Sequence, residues 1–141
     1  VHQLHQLHSQ QWALEDAGLR AEDVDYLNPH ATSTPVGDES EMKAVAKFFG
    51  EHARKLHISA TKSSTGHLLG GAGAIEAIIC VKAIQESIIP PTIHTQQLDP
   101  ALPQGLNIVL GEKIKKEIRV AMSNTFGFGG HNAIAVFKKV E

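Results

Sequence analysis

A chain of 141 residues has the length of one domain or of part of a larger protein, and 42% hydrophobic residues suffice for an ordinary core, which excludes wholesale disorder. A formal net charge of -2 gives no electrostatic reason to bind nucleic acid or an anionic membrane, and a single cysteine excludes an internal disulfide framework and suits a reducing compartment. No apolar run reaches the ~18 residues that span a bilayer; the nearest, Leu68 to Ile79, carries Gly70, Gly71, Gly73 and Glu76, no secretory signal is visible at the start, and the lack of an initial Met fits a fragment or a processed product.

Residues 1–8 place His2, His5 and His8 in a three-residue repeat. A period of three does not hold one face of a helix, so residues 1–11 are expected to be irregular. The competing reading of this stretch is metal binding through the three imidazoles. Gln11 to Ala17 reads as the end of a helix, with Trp12, Leu14 and Ala17 on its apolar side and Gly18 as its left-handed stop. Val24 to Leu27 is a short strand. Asp38 with Glu41 resembles the capping pair that opens a helix, in which Met42, Val45, Ala46 and Phe49 fall at helical spacing before Gly50. Leu56 to Ala60 is a second short strand.

Leu68 to Ile84 is apolar on nearly every side and is expected to form a buried helix. Glu76 is the exception, because a carboxylate in such surroundings needs a partner; Lys62 is the nearest. Ile88 to Ile93 is extended around Pro90 and Pro91, 96–105 is loop, and Leu106 to Leu110 is a strand. Ile118 to Met122 and Ala133 to Phe137 flank a Gly-rich turn as an antiparallel pair. The fold class is α/β, with helices packed on sheets.

Three loops concentrate the polar chemistry: Asn28 to Asp38, Thr61 to His67, and Asn124 to Asn132. Two imidazoles on separate loops, His30 and His67, suit proton transfer or oxyanion binding near neutral pH. Lys62 adds a cation, and Thr32 and Thr34 offer hydroxyls to a polar tether. Gly127-Phe128-Gly129-Gly130 lets backbone N–H groups come close to a substrate oxygen. No nucleophile stands out, since Cys80 between Ile79 and Val81 reads as an inert core thiol. A metal site from His30, His67 and His131 is the weakest reading, because no Cys or carboxylate completes a ligand set at typical spacing. His131 itself reads as structural, and His52, His57 and His94 as ordinary surface or loop residues.

Taken together, His30-Ala31-Thr32-Ser33-Thr34-Pro35 with Gly37-Asp38, Thr61-Lys62-Ser63 with Thr65-Gly66-His67, Gly70, Gly73 and Glu76, and Asn124 with Phe126 to Gly130 and Asn132 resemble the C-terminal half of the 3-oxoacyl-[acyl-carrier-protein] synthases. The likeness is to the elongating, Cys-His-His type, over residues 12–140. It implies a thiolase-like fold, five-layered α-β-α-β-α, of which this chain matches the second of two duplicated halves. It also implies a decarboxylative Claisen condensation of malonyl and acyl thioesters. By the resemblance, His30 and His67 stabilise the enolate oxygen and Lys62 orders the site, paired with Glu76. Thr32 and Thr34 hold the phosphopantetheine arm, Phe126 and Phe128 sit in the substrate-binding set with Phe128 as a gate, and Asp38, Gly127 and Gly129 support them. The resemblance implies no cofactor or metal beyond the phosphopantetheine of acyl carrier protein, that carrier as partner, and a homodimer for the intact enzyme. The location it implies is the cytoplasm, or a mitochondrion or plastid in a eukaryote. The family's nucleophilic cysteine lies in the other half, so the chain alone is not expected to form an acyl-enzyme. The alternative is a truncated, non-catalytic paralogue that binds acyl carrier protein or a partner subunit. Ala31 stands where Gly is common in the family, and His131 where Thr is common.

Overall fold

Tyr26, Leu27 and Asn28 are wholly shielded from solvent, as a strand must be when it has neighbours on both edges and helices on both faces. They form β1 (Tyr26–Asn28), at the centre of the computed structural model, which describes residues 2–140. Before β1 comes α1 (His2–Asp16). After it come α2 (Pro35–Phe49), β2 (His57–Ile58), the short α3 (Lys62–Thr65), α4 (Ala72–Glu86), β3 (Ile88–Ile89), β4 (Ile114–Lys115), β5 (Val120–Phe126) and β6 (Asn132–Lys138). The main sheet has the order β2-β1-β5-β6. β1 runs parallel to β2 and β5, and β6 pairs antiparallel with β5, with Phe126 opposite Asn132 next to the Gly-rich turn. β3 and β4 make a separate antiparallel pair.

Alternation along the strands divides the core. Leu27 and Met122 face Met42, Val45 and Phe49 of α2 and Leu14 of α1. Tyr26 and Ala121 face Cys80, Ala83 and Ile84 of α4. The result is a mixed sheet with α1 and α2 on one side and α4 on the other. Among the described residues no helix is long and apolar enough to cross a membrane.

Several expectations need correction. Residues 2–11 are not irregular; they are the first part of α1. The side of α1 that packs inward is Gln6, Gln10 and Leu14, all buried and spaced four apart. Two of the three are polar, so hydrophobic periodicity does not register the face. Trp12 is not on it: the indole is 64% exposed and stacks with His8 at a ring separation of 5.9 Å.

Helix α2 starts one turn before Asp38, with Pro35 in its first turn and Thr34 as N-cap; proline suits that place because its missing N–H would have no helical partner. α4 is covered on one side only. Ala72, Glu76, Cys80, Ala83 and Ile84 are buried, while Ile78 and Val81 face outward. Leu106 to Leu110 is not a strand; it contributes single bridges from Ile108 to Ile58 and from Leu110 to Thr92. Gly18, by contrast, stops α1 in the left-handed conformation (φ 65°).

Candidate active site

Three parallel strands deliver three loops to one edge. β1, β2 and β5 point the same way, so the segments after Asn28, Ile58 and Phe126 emerge together at the carboxyl side of the sheet, the usual place for a site in such folds. There the rings of His30 and His67 meet edge to face, centroids 5.6 Å apart. The Phe126 ring also meets His30, with centroids 5.8 Å apart.

The two imidazoles differ in surroundings. His67 is exposed, and its Nδ1 accepts a hydrogen bond from the Leu69 N–H at 3.3 Å. A ring nitrogen that accepts cannot carry the proton, so the neutral ring presents Nε2–H as a donor. Leu69, the donor, has a positive φ of 51°. His30 is half-buried, with no protein partner for Nδ1. Burial first, then the Lys62 ammonium and His67, pull its imidazolium down to about 4, so at neutral pH the ring is uncharged.

Lys62 finds the predicted partner: its Nζ is ion-paired with Oε1 of Glu76, and both residues are buried. Burial raises the Glu76 carboxyl above the usual range, opposed by the Lys62 ammonium. The loop carrying His30 is fixed by α2. Asp38 accepts from the Ser33 N–H at 3.1 Å and is not a cap. Burial holds its carboxyl above the usual carboxylate range, the Ser33 N–H opposes that, and Asp99 adds to it.

Two hollows border the site. Thr32, Lys62 and His67 line a cleft of about 460 Å³ together with Ser63 and Thr92. Phe126, Gly127, Phe128 and Gly129 line a second one, of about 480 Å³, with His5 and Gln6 of α1. Thr34 lines neither of them; its Oγ1 fills the space where a side chain at Gly37 would stand. Phe128 is 99% exposed. Gly129 has φ 78°, a conformation that glycine adopts freely. The Gly127 N–H is used within the turn, donating to the His131 carbonyl at 2.7 Å. Cys80 lies in the core beneath the sheet, where burial pushes its thiol up to about 12. Among the described residues, no group of three or more His, Cys, Asp and Glu side chains could hold a metal ion.

Sequence reasoning gives Glu41 and Asn124 no role at the site. Glu41 is fully buried; it accepts from the N–H groups of His30 and Ala31, both at 2.8 Å, and from Asn124 Nδ2 at 3.1 Å. A signal was available: Glu41 precedes Met42 and stands four residues before Val45, on the inward side of α2.

The fold carrying this edge is thiolase-like, and the chain belongs to the family described as "Beta-ketoacyl synthase, C-terminal domain", which matches residues 2–96. The match takes in residues 2–11, outside the likeness carried by the motifs. The chain is 53% identical to 3-oxoacyl-[acyl-carrier-protein] synthase 2 of Staphylococcus aureus (strain COL), over 93% of its own length and 31% of that relative. It is 48% identical to the synthase 2 of Synechocystis sp., over 92% and 31%. A beta-ketoacyl synthase from Burkholderia phymatum superposes with a TM-score of 0.90 at 38% identity, covering 96% of this chain and 32% of that one. A type II polyketide ketosynthase, solved in complex with its acyl-carrier protein, superposes with a TM-score of 0.91 at 30% identity, covering 96% and 33%. The chain thus spans about a third of the length of these relatives.

Proposed function

We propose that this chain is the part of a 3-oxoacyl-[acyl-carrier-protein] synthase that holds the malonyl thioester and stabilises the enolate formed on decarboxylation. The observation that carries this is the meeting of His30 and His67 at 5.6 Å beside the buried Lys62. Neutral imidazoles can donate to a thioester oxygen without surrendering a proton to it. The His67 Nε2–H and a donor on His30 would bind that oxygen as the bond to the carboxylate carbon breaks. Carbon dioxide leaves, and the bonding pair becomes the enolate. Donors held ready where negative charge develops are the largest single term in many such reactions. The enolate carbon then attacks an acyl thioester, a carbon–carbon bond forms, and a cysteine thiolate departs. Cys80 is unsuited to that role, so the nucleophile would come from outside these 141 residues, and the chain alone would not form an acyl-enzyme.

The phosphopantetheine arm of an acyl carrier protein would lie in the cleft along Thr32, and Thr34 would meet it only outside that cleft. The complex of a related ketosynthase with its carrier supports that partner. A homodimer in the cytoplasm, or in a mitochondrion or plastid in a eukaryote, with no cofactor beyond the carrier's arm, completes the reading. In the complete synthase, His30→Ala or His67→Ala should abolish decarboxylation of malonyl carrier and spare acylation of the nucleophilic cysteine. Decarboxylation retained in both variants would refute the assignment.

A further inference from the structure

Charge is divided unevenly along the chain. Residues 112–119 and 138–140 hold Lys113, Lys115, Lys116, Arg119, Lys138 and Lys139, six of the 13 Lys and Arg residues, against Glu112 and Glu117, two of the 15 Asp and Glu residues. The remainder is acidic, so the net charge of -2 describes neither part.

Folding gathers these cations at one edge. Val120 pairs with Lys138, and the Lys139 N–H donates to the Arg119 carbonyl at 2.8 Å. The Lys116 N–H donates to the Ser87 carbonyl, just past α4, at 2.9 Å. Lys113 and Lys115, two apart and so on one side of the strand, are exposed, while Ile114 between them packs against the core. Arg119, Lys138, Lys139 and Val140 border a hollow of about 350 Å³ with Glu117. This is the edge where β5 begins; the site lies where it ends, at Phe126, about 20 Å away at the rise of an extended strand. Nearby carboxylates do not cancel the charge. Glu117 is paired with Lys139, Asp23 with Arg20, and Asp25 accepts from the N–H groups of Arg119 and Val120. Among the described residues, cations at this edge outnumber carboxylates even with these included.

We infer that this edge is an electrostatic docking surface for a membrane of anionic phospholipid. Five of the six cations are lysines, point charges on flexible stems that act together on a diffuse anionic surface without a fixed partner. Single-stranded nucleic acid calls for outward rings among the cations, and Phe137, beside Lys138, packs against the core instead. The side chain that does project is Val140, 91% exposed next to Lys139, an apolar tip suited to the boundary between headgroups and acyl chains. Docked in this way, the sheet turns the His30–His67 edge away from the bilayer, toward the aqueous phase.

The test needs no turnover, so its failure is separable from failure of the catalytic reading. The purified chain is sedimented with vesicles of equimolar phosphatidylglycerol and phosphatidylcholine, and with phosphatidylcholine alone. Binding should appear on the mixed vesicles only and weaken as salt is raised, because the screening length shrinks. Lys113→Gln, Lys115→Gln and Lys138→Gln together should lower the partition coefficient on the order of 100-fold, about fivefold per lysine. Lys43→Gln, Lys47→Gln and Lys55→Gln, the same change in net charge on α2 and just beyond it, should leave it nearly unchanged. All six side chains are exposed, so both variants should keep the wild-type unfolding midpoint. Equal sedimentation with phosphatidylcholine alone, which would point to the outward apolar side of α4, overturns the inference. So does an equal loss in both triple variants, or release from the vesicles by polyadenylate at equal phosphate concentration.

Discussion

Lys62 at the start of α3 and Glu76 in the second turn of α4 form a buried ion pair that ties together the two helices on either side of His67. Removing one member strands a charge in the interior, which typically costs about 3–5 kcal/mol, whereas replacing both with apolar groups is often neutral. Lys62→Met should therefore lower the urea midpoint sharply. Adding Glu76→Leu should restore most of the loss, while decarboxylation by the complete synthase stays depressed. A double variant that regains both stability and turnover would reduce the pair to a structural tie.

His30 should make stability depend on pH. Its folded value of about 4 lies below the ordinary 6.5. Between those limits the unfolded chain holds a proton that the folded chain does not, so this group's contribution grows as pH rises from 4 to 6.5. Relative to wild type, His30→Ala should lose ground across that window by roughly 1 kcal/mol, since the half-exposed ring is screened by water. In a His30→Ala background, Glu41 acts in the opposite sense. Its folded value of about 7 lies above 4.5, so its contribution falls as pH rises between them. Adding Glu41→Gln should remove a decline on the order of 2–3 kcal/mol. Denaturant unfolding at pH 4.5, 5.5, 6.5 and 7.5 measures both slopes.

Gln10 offers a stability test remote from the site. Its side chain is fully buried on the inner side of α1, with no protein partner for either amide atom. A buried amide without partners costs roughly 1–3 kcal/mol. Gln10→Met, close in volume and free of that cost, should raise the unfolding midpoint by a comparable amount in calorimetry or urea titration. A lower midpoint would mean that the amide is satisfied in solution.

How much of this was legible in the residues depended on where the partners lie in the chain. His30, Lys62, His67 and Phe126 sit within contiguous motifs, and the parallel strands that gather them are short but apolar. The Lys62–Glu76 contact was readable because a carboxylate in an apolar run demands a cation. Glu41 reads locally as half of a capping pair, but its partners lie 10, 11 and 83 residues away, and no local pattern encodes that. The inward side of α1 hid behind Gln6 and Gln10. The outward Ile78 and Val81 misled in the other direction, since apolar residues all round a helix state a preference without saying what will cover it.

Because Asn28, Ile58 and Phe126 all close strands of one orientation, the chemistry here is mounted on a common rim, tied to the scaffold below by Glu41, Glu76 and Asn124. Residues 29–34 and 127–131 lie beyond the ends of the strands that bury Leu27 and Met122. Variation in what the rim accepts is therefore cheap to make, so long as Glu41 keeps hold of the loop above it.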